Sequence, residues 1–260
     1  MRLSLPLPNL RSAPVHPPAQ FDGVADMILN GQPVFQPIVT MAGHAVHHYE
    51  VLTRLPDGRS PYEAVAFSEE IGLIETFDLR VCRRAIRELE SHSGHRLAVN
   101  VSGRSIQSDK FRNALQELIL PRKELAPRLI FELTESSVVT EIEGVAAFLA
   151  WLREQGHMIC LDDFGAGAAT YSYLRYFEVD FVKIDGPFLK AAVTGRRERA
   201  LIGSICRLCK ELGSATIGEM IETEKEAEAA AALGIDYGQG WLYGKPTDTL
   251  PALRNAISPD

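Results

Sequence analysis

Between residues 34 and 242 the chain alternates short apolar runs with longer amphipathic stretches. The short runs (34–39, 45–53, 97–101, 129–133, 158–161, 180–184, 215–219 and 237–242) are rich in Val, Ile, Leu and Phe and have strand length. The stretches between them predict helices over 22–30, 61–71, 75–91, 105–118, 141–155, 172–177, 197–212 and 224–233. In 141–155, for example, Val145, Phe148, Leu149 and Leu152 recur at helical spacing. Repeated β-α units predict a parallel sheet, and about eight of them in one domain predict a closed α/β barrel of the TIM (β/α)8 kind. The first two strands are joined by a short turn around Gly43, which predicts an antiparallel pair there. A doubly wound open sheet is the structural alternative, but no glycine-rich dinucleotide fingerprint follows an early strand.

The polar residues interrupt this pattern at one recurring place, the strand ends. These carry Glu50, Asn100, Glu132 with Glu135, Asp162 with Asp163, Lys183 with Asp185, Glu219 with Glu222, and Gln239. In a β/α barrel the C-terminal strand ends converge on one mouth. Oxygen ligands from distant parts of the chain would meet there. Adjacent carboxylates such as Asp162-Asp163 repel when buried and call for a cation. No histidine ends a strand, and such a hard oxygen set favours Mg²⁺ or Mn²⁺ over zinc or copper. His48 shares the parity of Glu50 and is read as a packing residue. Two metals, a lysine and a glutamine suit phosphodiester hydrolysis, with Lys183 orienting water or neutralising charge.

Composition narrows the class. Apolar residues make up 46% of the 260, enough for a full core in one domain. Residues 1–20 contain Pro6, Pro8, Pro14, Pro17 and Pro18 and read as a flexible leader, with a single domain over 21–260. The net charge of −7 argues against a nucleic-acid polymer as partner. No run reaches the roughly 18 apolar residues of a membrane span, and the N-terminus lacks a signal-peptide core, so a cytoplasmic location is expected. Cys206 and Cys209 form a C-x-x-C inside an apolar helical pattern and read as structural.

Together these motifs resemble the EAL domain, the bacterial cyclic-di-GMP phosphodiesterase domain. The resemblance rests on Phe35-Gln36-Pro37-Ile38, Glu50-Val51-Leu52-Thr53-Arg54, Ala98-Val99-Asn100-Val101-Ser102, Glu132-Leu133-Thr134-Glu135, Asp162-Asp163-Phe164-Gly165, Val182-Lys183-Ile184-Asp185, Glu219-Met220-Ile221-Glu222 and the closing stretch from Gln239 to Pro246. It implies a modified barrel whose first strand is antiparallel. It implies that Glu50, Asn100, Glu132 and Asp162 hold one Mg²⁺ or Mn²⁺, and that Asp162, Asp163 and Glu219 hold a second. Lys183 and Gln239 would position or activate water. Gln36, Leu52 and Arg54 would contact cyclic-di-GMP, which would be opened to linear pGpG. A homodimer is the family's expected assembly.

The sequence departs from the family pattern at Val51, at Met220 (where glycine is usual) and above all after the aspartate pair. There Ala166-Gly167-Ala168-Ala169-Thr170 replaces a stretch richer in hydroxyls. The resemblance gives Glu222 the task of anchoring this loop. Fewer hydroxyls around a complete ligand set imply reduced turnover. The alternative reading is a cyclic-di-GMP receptor that turns over little or nothing and signals through an unidentified protein partner. A scaffold binding neither nucleotide nor metal is a third reading.

Overall fold

The structure, a computed structural model, describes residues 30–55, 61–134, 139–165 and 170–251. The expected leader, nearly all of the helix over 22–30, Glu135 and the loop at 166–169 lie outside the described residues.

Eight strands close into a barrel in sequence order: β1 (Gln32–Thr40), β2 (Val46–Arg54), β3 (Leu97–Ser102), β4 (Leu129–Thr134), β5 (Met158–Phe164), β6 (Phe181–Ile184), β7 (Ala215–Gly218) and β8 (Tyr237–Gln239). β1 runs antiparallel to both of its neighbours, β2 and β8. Every other pair is parallel. The cause is local. The Thr40 N–H donates to Ala45 O at 2.9 Å, and Gly43 and His44 both take positive φ, 98° and 56°. A turn this tight cannot carry the crossover that a parallel pair needs.

The helices pack outside: α1 (Pro61–Glu70), α2 (Ile74–Ser91), α3 (Gly103–Gln107), α4 (Asp109–Ile119), α5 (Ile142–Glu154), α6 (Thr170–Tyr176), α7 (Gly186–Ala192), α8 (Arg196–Glu211) and α9 (Glu224–Leu233). The single helix expected over 105–118 is two. Ser108 is extended (φ −82°, ψ 122°) and its hydroxyl accepts from the Phe111 N–H, so one serine ends α3 and caps α4. α7 and a 3₁₀ segment, Leu120–Arg128, were not expected; both are short and proline-bearing, with too few turns to display a period.

Apolar side chains form two shells. The larger fills the space between strands and helices, from Phe35 and Val51 to Leu161, Ile184 and Ile221. The smaller lies inside the barrel: Ile38, Ala98, Ile130, Cys160, Phe181 and Ile217. His48 shares this interior, fully buried and packed against Phe181, with burial and then the nearby His47 and Lys183 charges holding it well below its ordinary pKa. Alternation along a strand means that the inward residue two positions further on lies one layer higher. Two positions beyond Ala98, Ile130, Cys160, Phe181 and Ile217 stand Asn100, Glu132, Asp162, Lys183 and Glu219. The apolar plug is thus the floor of a polar layer.

Candidate metal centre and substrate cleft

Lys183 occupies the middle of that layer with 1% of its side chain exposed. Its Nζ lies 2.9 Å from Asp162 Oδ1 and 2.9 Å from Glu219 Oε1. Glu132 Oε2 follows at 3.3 Å and Glu50 Oε2 at 3.4 Å. Two amides complete the arrangement. Asn100 Nδ2 donates to Glu50 Oε1 at 2.7 Å, and Gln239 Nε2 donates to Glu50 Oε2 at 2.6 Å. Gln239 Nε2 also lies 3.2 Å from Gln36 Oε1, while the Gln36 Nε2 donates to the Gly244 carbonyl at 3.3 Å.

Four carboxylates around one ammonium leave negative charge in excess. Burial raises Glu132 well above the usual carboxylate range; Lys183 opposes this, and the neighbouring carboxylates add to it. Burial likewise raises Asp162 against the pull of Lys183, and pushes Glu219 up to about 8. Glu50 differs. Burial would raise it, but Lys183 and the Gln239 and Asn100 amides together hold it below its ordinary value. Burial would lower Lys183, but the surrounding carboxylates raise it well above the ordinary lysine value.

Divalent cations fit this arrangement. Ligand atoms of Glu50, Glu132 and Asp162 lie within 4.8 Å of one another, and so do those of Asp162, Asp163 and Glu219. Asp162 is common to both sets. Three buried polar atoms in the layer have no hydrogen-bond partner: Asn100 Oδ1, Glu132 Oε1 and Gln239 Oε1. All three are oxygens, the donor type that Mg²⁺, Mn²⁺ and Ca²⁺ take.

The pairing of Asp162 with Asp163 has a backbone cause. Adjacent residues in a regular strand point to opposite faces. Here the register between β5 and β6 shifts between Leu161 and Phe164, and Asp163 takes φ 56°. β5 therefore runs to Phe164, three residues past the expected end, with the aspartates inside it at an irregularity. The Asp163 N–H donates to Asp162 Oδ1 at 3.0 Å. Opposite, the Ile221 N–H donates to Gln239 O at 3.0 Å, and a Cβ on Gly240 would collide with the Ile221 backbone. Glycine at 240 thus lets the segment carrying Glu219 and Glu222 close against the one carrying Gln239.

Above the polar layer opens a cleft of about 270 Å³. Gln36, Leu52, Lys183 and Gln239 line it, as do Glu222 and two residues with no expected substrate role, Met220 and Trp241. The Trp241 side chain is 59% exposed although the Lys245 ammonium lies 4.8 Å from its ring centroid. An exposed aromatic in a C-terminal barrel segment is the signal that could have found it. Asn100 and Glu132 lie beneath the lining. Arg54 lies outside it, paired with Asp248 at 2.7 Å with both side chains exposed. Glu222 Oε2 lies 3.3 Å from Lys190 Nζ, and the Glu222 N–H donates to Glu226 Oε2 at 2.7 Å.

The sequence model of the EAL domain matches residues 29–246. The chain belongs to the EAL domain family. This EAL domain is 33% identical over 232 residues to the cyclic di-GMP phosphodiesterase PdeF of Escherichia coli, covering 86% of this chain and 31% of PdeF. It is 32% identical over 225 residues to the cyclic di-GMP phosphodiesterase PdeB of Shewanella oneidensis, covering 82% of this chain and 26% of that protein. It therefore spans less than a third of either relative. Among solved structures it resembles the PaMucR phosphodiesterase in complex with c-di-GMP, with TM-score 0.78, 25% identity and coverage of 88% of this chain and 97% of that one. It also resembles the calcium and cyclic-diGMP complex of BlrP1 from Klebsiella pneumoniae, with TM-score 0.75, 28% identity and coverage of 85% and 57%. Among the described residues no helix is long and apolar enough to cross a membrane.

Proposed function

We propose that this EAL domain hydrolyses one phosphodiester bond of cyclic di-GMP to give linear pGpG, with two Mg²⁺ or Mn²⁺ ions as cofactors. The observation that carries the reading is the pair of carboxylate sets sharing Asp162 around buried Lys183. Glu50, Asn100, Glu132 and Asp162 would hold one ion; Asp162, Asp163 and Glu219 would hold the other. When bound, two such ions supply Lewis acidity toward the phosphoryl oxygens and ease the deprotonation of water.

The side chains do the rest. The Gln239 amide is oriented by its donation to Glu50, which leaves its Oε1 free to accept from a water. Lys183 Nζ is a fixed donor that orients water and offsets charge building on phosphorus. Water adds to phosphorus, the P–O3′ bond breaks, and the departing oxygen takes a proton. Gln36 and Leu52 contact the dinucleotide inside the cleft, Arg54 supplies cationic charge outside it, and the open Trp241 ring offers a face for a guanine base.

The test is incubation of purified protein with cyclic di-GMP and Mn²⁺, with chromatographic detection of pGpG. Conversion that stops on chelation is expected. A second reading, a receptor acting through a protein partner, draws on the hydroxyl-poor stretch Ala166-Gly167-Ala168-Ala169-Thr170 after the aspartate pair. Nucleotide binding that survives chelation, with no pGpG formed, overturns the enzyme reading in favour of the receptor. The same preparation, run by analytical ultracentrifugation, tests the homodimer.

A further inference from the structure

On the outside of the barrel, α2 displays four arginines along one face: Arg80, Arg83, Arg84 and Arg87. Their spacing of i, i+3, i+4 and i+7 places them in one stripe. They line, with Thr76, an open cleft of about 320 Å³. Like charges at such spacings destabilise a helix, so the stripe opposes folding unless something neutralises it. No carboxylate does so among the described residues. The acidic residues at the end of α2 are directed elsewhere, Glu88 to His92 at 3.4 Å and Glu90 to Arg122 at 2.7 Å. Arg84 donates to the Gly31 carbonyl, and burial together with the Arg80 and Arg87 charges holds it below its ordinary value.

Arg80 makes the second observation. Its Nε is buried and has no hydrogen-bond partner. An unmet buried donor on a charged group is expensive. A solvated charged face, the ordinary explanation for a run of arginines, leaves such a nitrogen in contact with water. This one is shielded from solvent, although Arg80 as a whole is only partly buried.

We infer that the outer face of α2 binds an oligophosphate, a compact anion of the class found in pyrophosphate and the phosphate chains of nucleoside di- and triphosphates. Among the described residues the polar side chains around the cleft are four guanidinium groups and one hydroxyl, a lining dominated by fixed donors. Phosphate oxygens accept from guanidinium forks in bidentate geometry. A cleft this small with four positive charges requires several negative charges in little volume, which an oligophosphate provides and a carboxylate peptide does not. A nucleic-acid polymer fits poorly, because the stripe is one cleft on a protein of net charge −7 rather than a continuous basic track.

The test is isothermal titration of the full chain with inorganic pyrophosphate, in EDTA so that the carboxylate layer holds no metal that could bind the anion. Saturable one-to-one binding is expected, weakening as salt is raised. Arg83→Glu combined with Arg87→Glu should weaken it at least tenfold. Arg83→Lys with Arg87→Lys, which keeps charge and helix propensity, should weaken it a few-fold and guards against a folding defect. Arg207→Glu, on α8, should leave it unchanged. ATP competing with pyrophosphate identifies the nucleotide phosphate chain as a source. No saturable heat, equal affinity in the double-Glu variant, or capture by phosphatidylglycerol vesicles without pyrophosphate binding overturns the inference.

Discussion

A Cβ placed on Gly186 would lie 2.5 Å from the Cβ of Met220. Met220 itself sits at φ 53°, a left-handed conformation that L side chains rarely adopt. The two residues fit only as a pair: the missing side chain of one makes room for the side chain of the other. Met220→Gly should change stability by less than about 1 kcal/mol, because relief of the left-handed backbone is offset by unfolded-chain entropy. Gly186→Ala should cost about 1–3 kcal/mol in the parent and much less in Met220→Gly. A double-mutant cycle by urea denaturation checks this, and additivity within about 0.5 kcal/mol refutes the pairing.

Lys183 is the only cation that the described residues offer to Glu50, Glu132, Asp162 and Glu219. Lys183→Met should destabilise the metal-free protein by about 3–5 kcal/mol, since it strands buried carboxylates. Mn²⁺ should then stabilise the variant more than it stabilises the parent. Urea melts in EDTA and in Mn²⁺ measure both effects. pGpG formation should fall at least about a hundredfold.

The shared position of Asp162 distinguishes it from the other ligands. Titration with Mn²⁺ should give two equivalents in the parent. Glu132→Gln should weaken one of them by roughly tenfold or more, whereas Asp162→Asn should weaken both. If Asp162→Asn leaves one equivalent untouched, the bridging arrangement is wrong.

Asp78, on the buried side of α2, accepts the Ser102 N–H at 2.9 Å, two residues after Asn100. Burial pushes its carboxyl up to about 7, against the hydrogen bonds from Ser102 and Ser105. A folded-state pKa above the unfolded one gives a contribution fully present below about pH 4 and lost as pH rises through 7. Asp78→Asn mimics the neutral acid, with its oxygen facing the Ser102 N–H. The stability of the parent relative to this variant should therefore fall between pH 4 and pH 8, by on the order of 4 kcal/mol. Chemical denaturation at four or five pH values decides it; a flat difference removes Asp78 as a titrating group.

The strand-end residues could be read from sequence because a barrel turns a simple rule, the last inward residue of each strand, into a spatial cluster. Three features resisted that logic. Ser108 both ends one helix and caps the next, and a continuous amphipathic pattern conceals the break. The irregularity at Asp163 turns two neighbouring carboxylates toward one mouth, which alternation alone forbids. Met220 and Trp241 lie in the connections that follow Glu219 and Gln239, where no periodicity says which side chains face the cleft. The arginine stripe was not among the features expected from the sequence, and that no described carboxylate pairs with it emerges only from packing.

The antiparallel first strand reaches beyond barrel closure. Gln32 pairs with Arg54, at the C-terminal end of β2, and the chain then runs down the wall to Thr40. Chain entering at Gln32 therefore arrives on the rim where Gln36 and Glu50 stand, whereas the first strand of an all-parallel barrel starts at the opposite end. A module joined upstream of this strand would be tethered beside the working mouth.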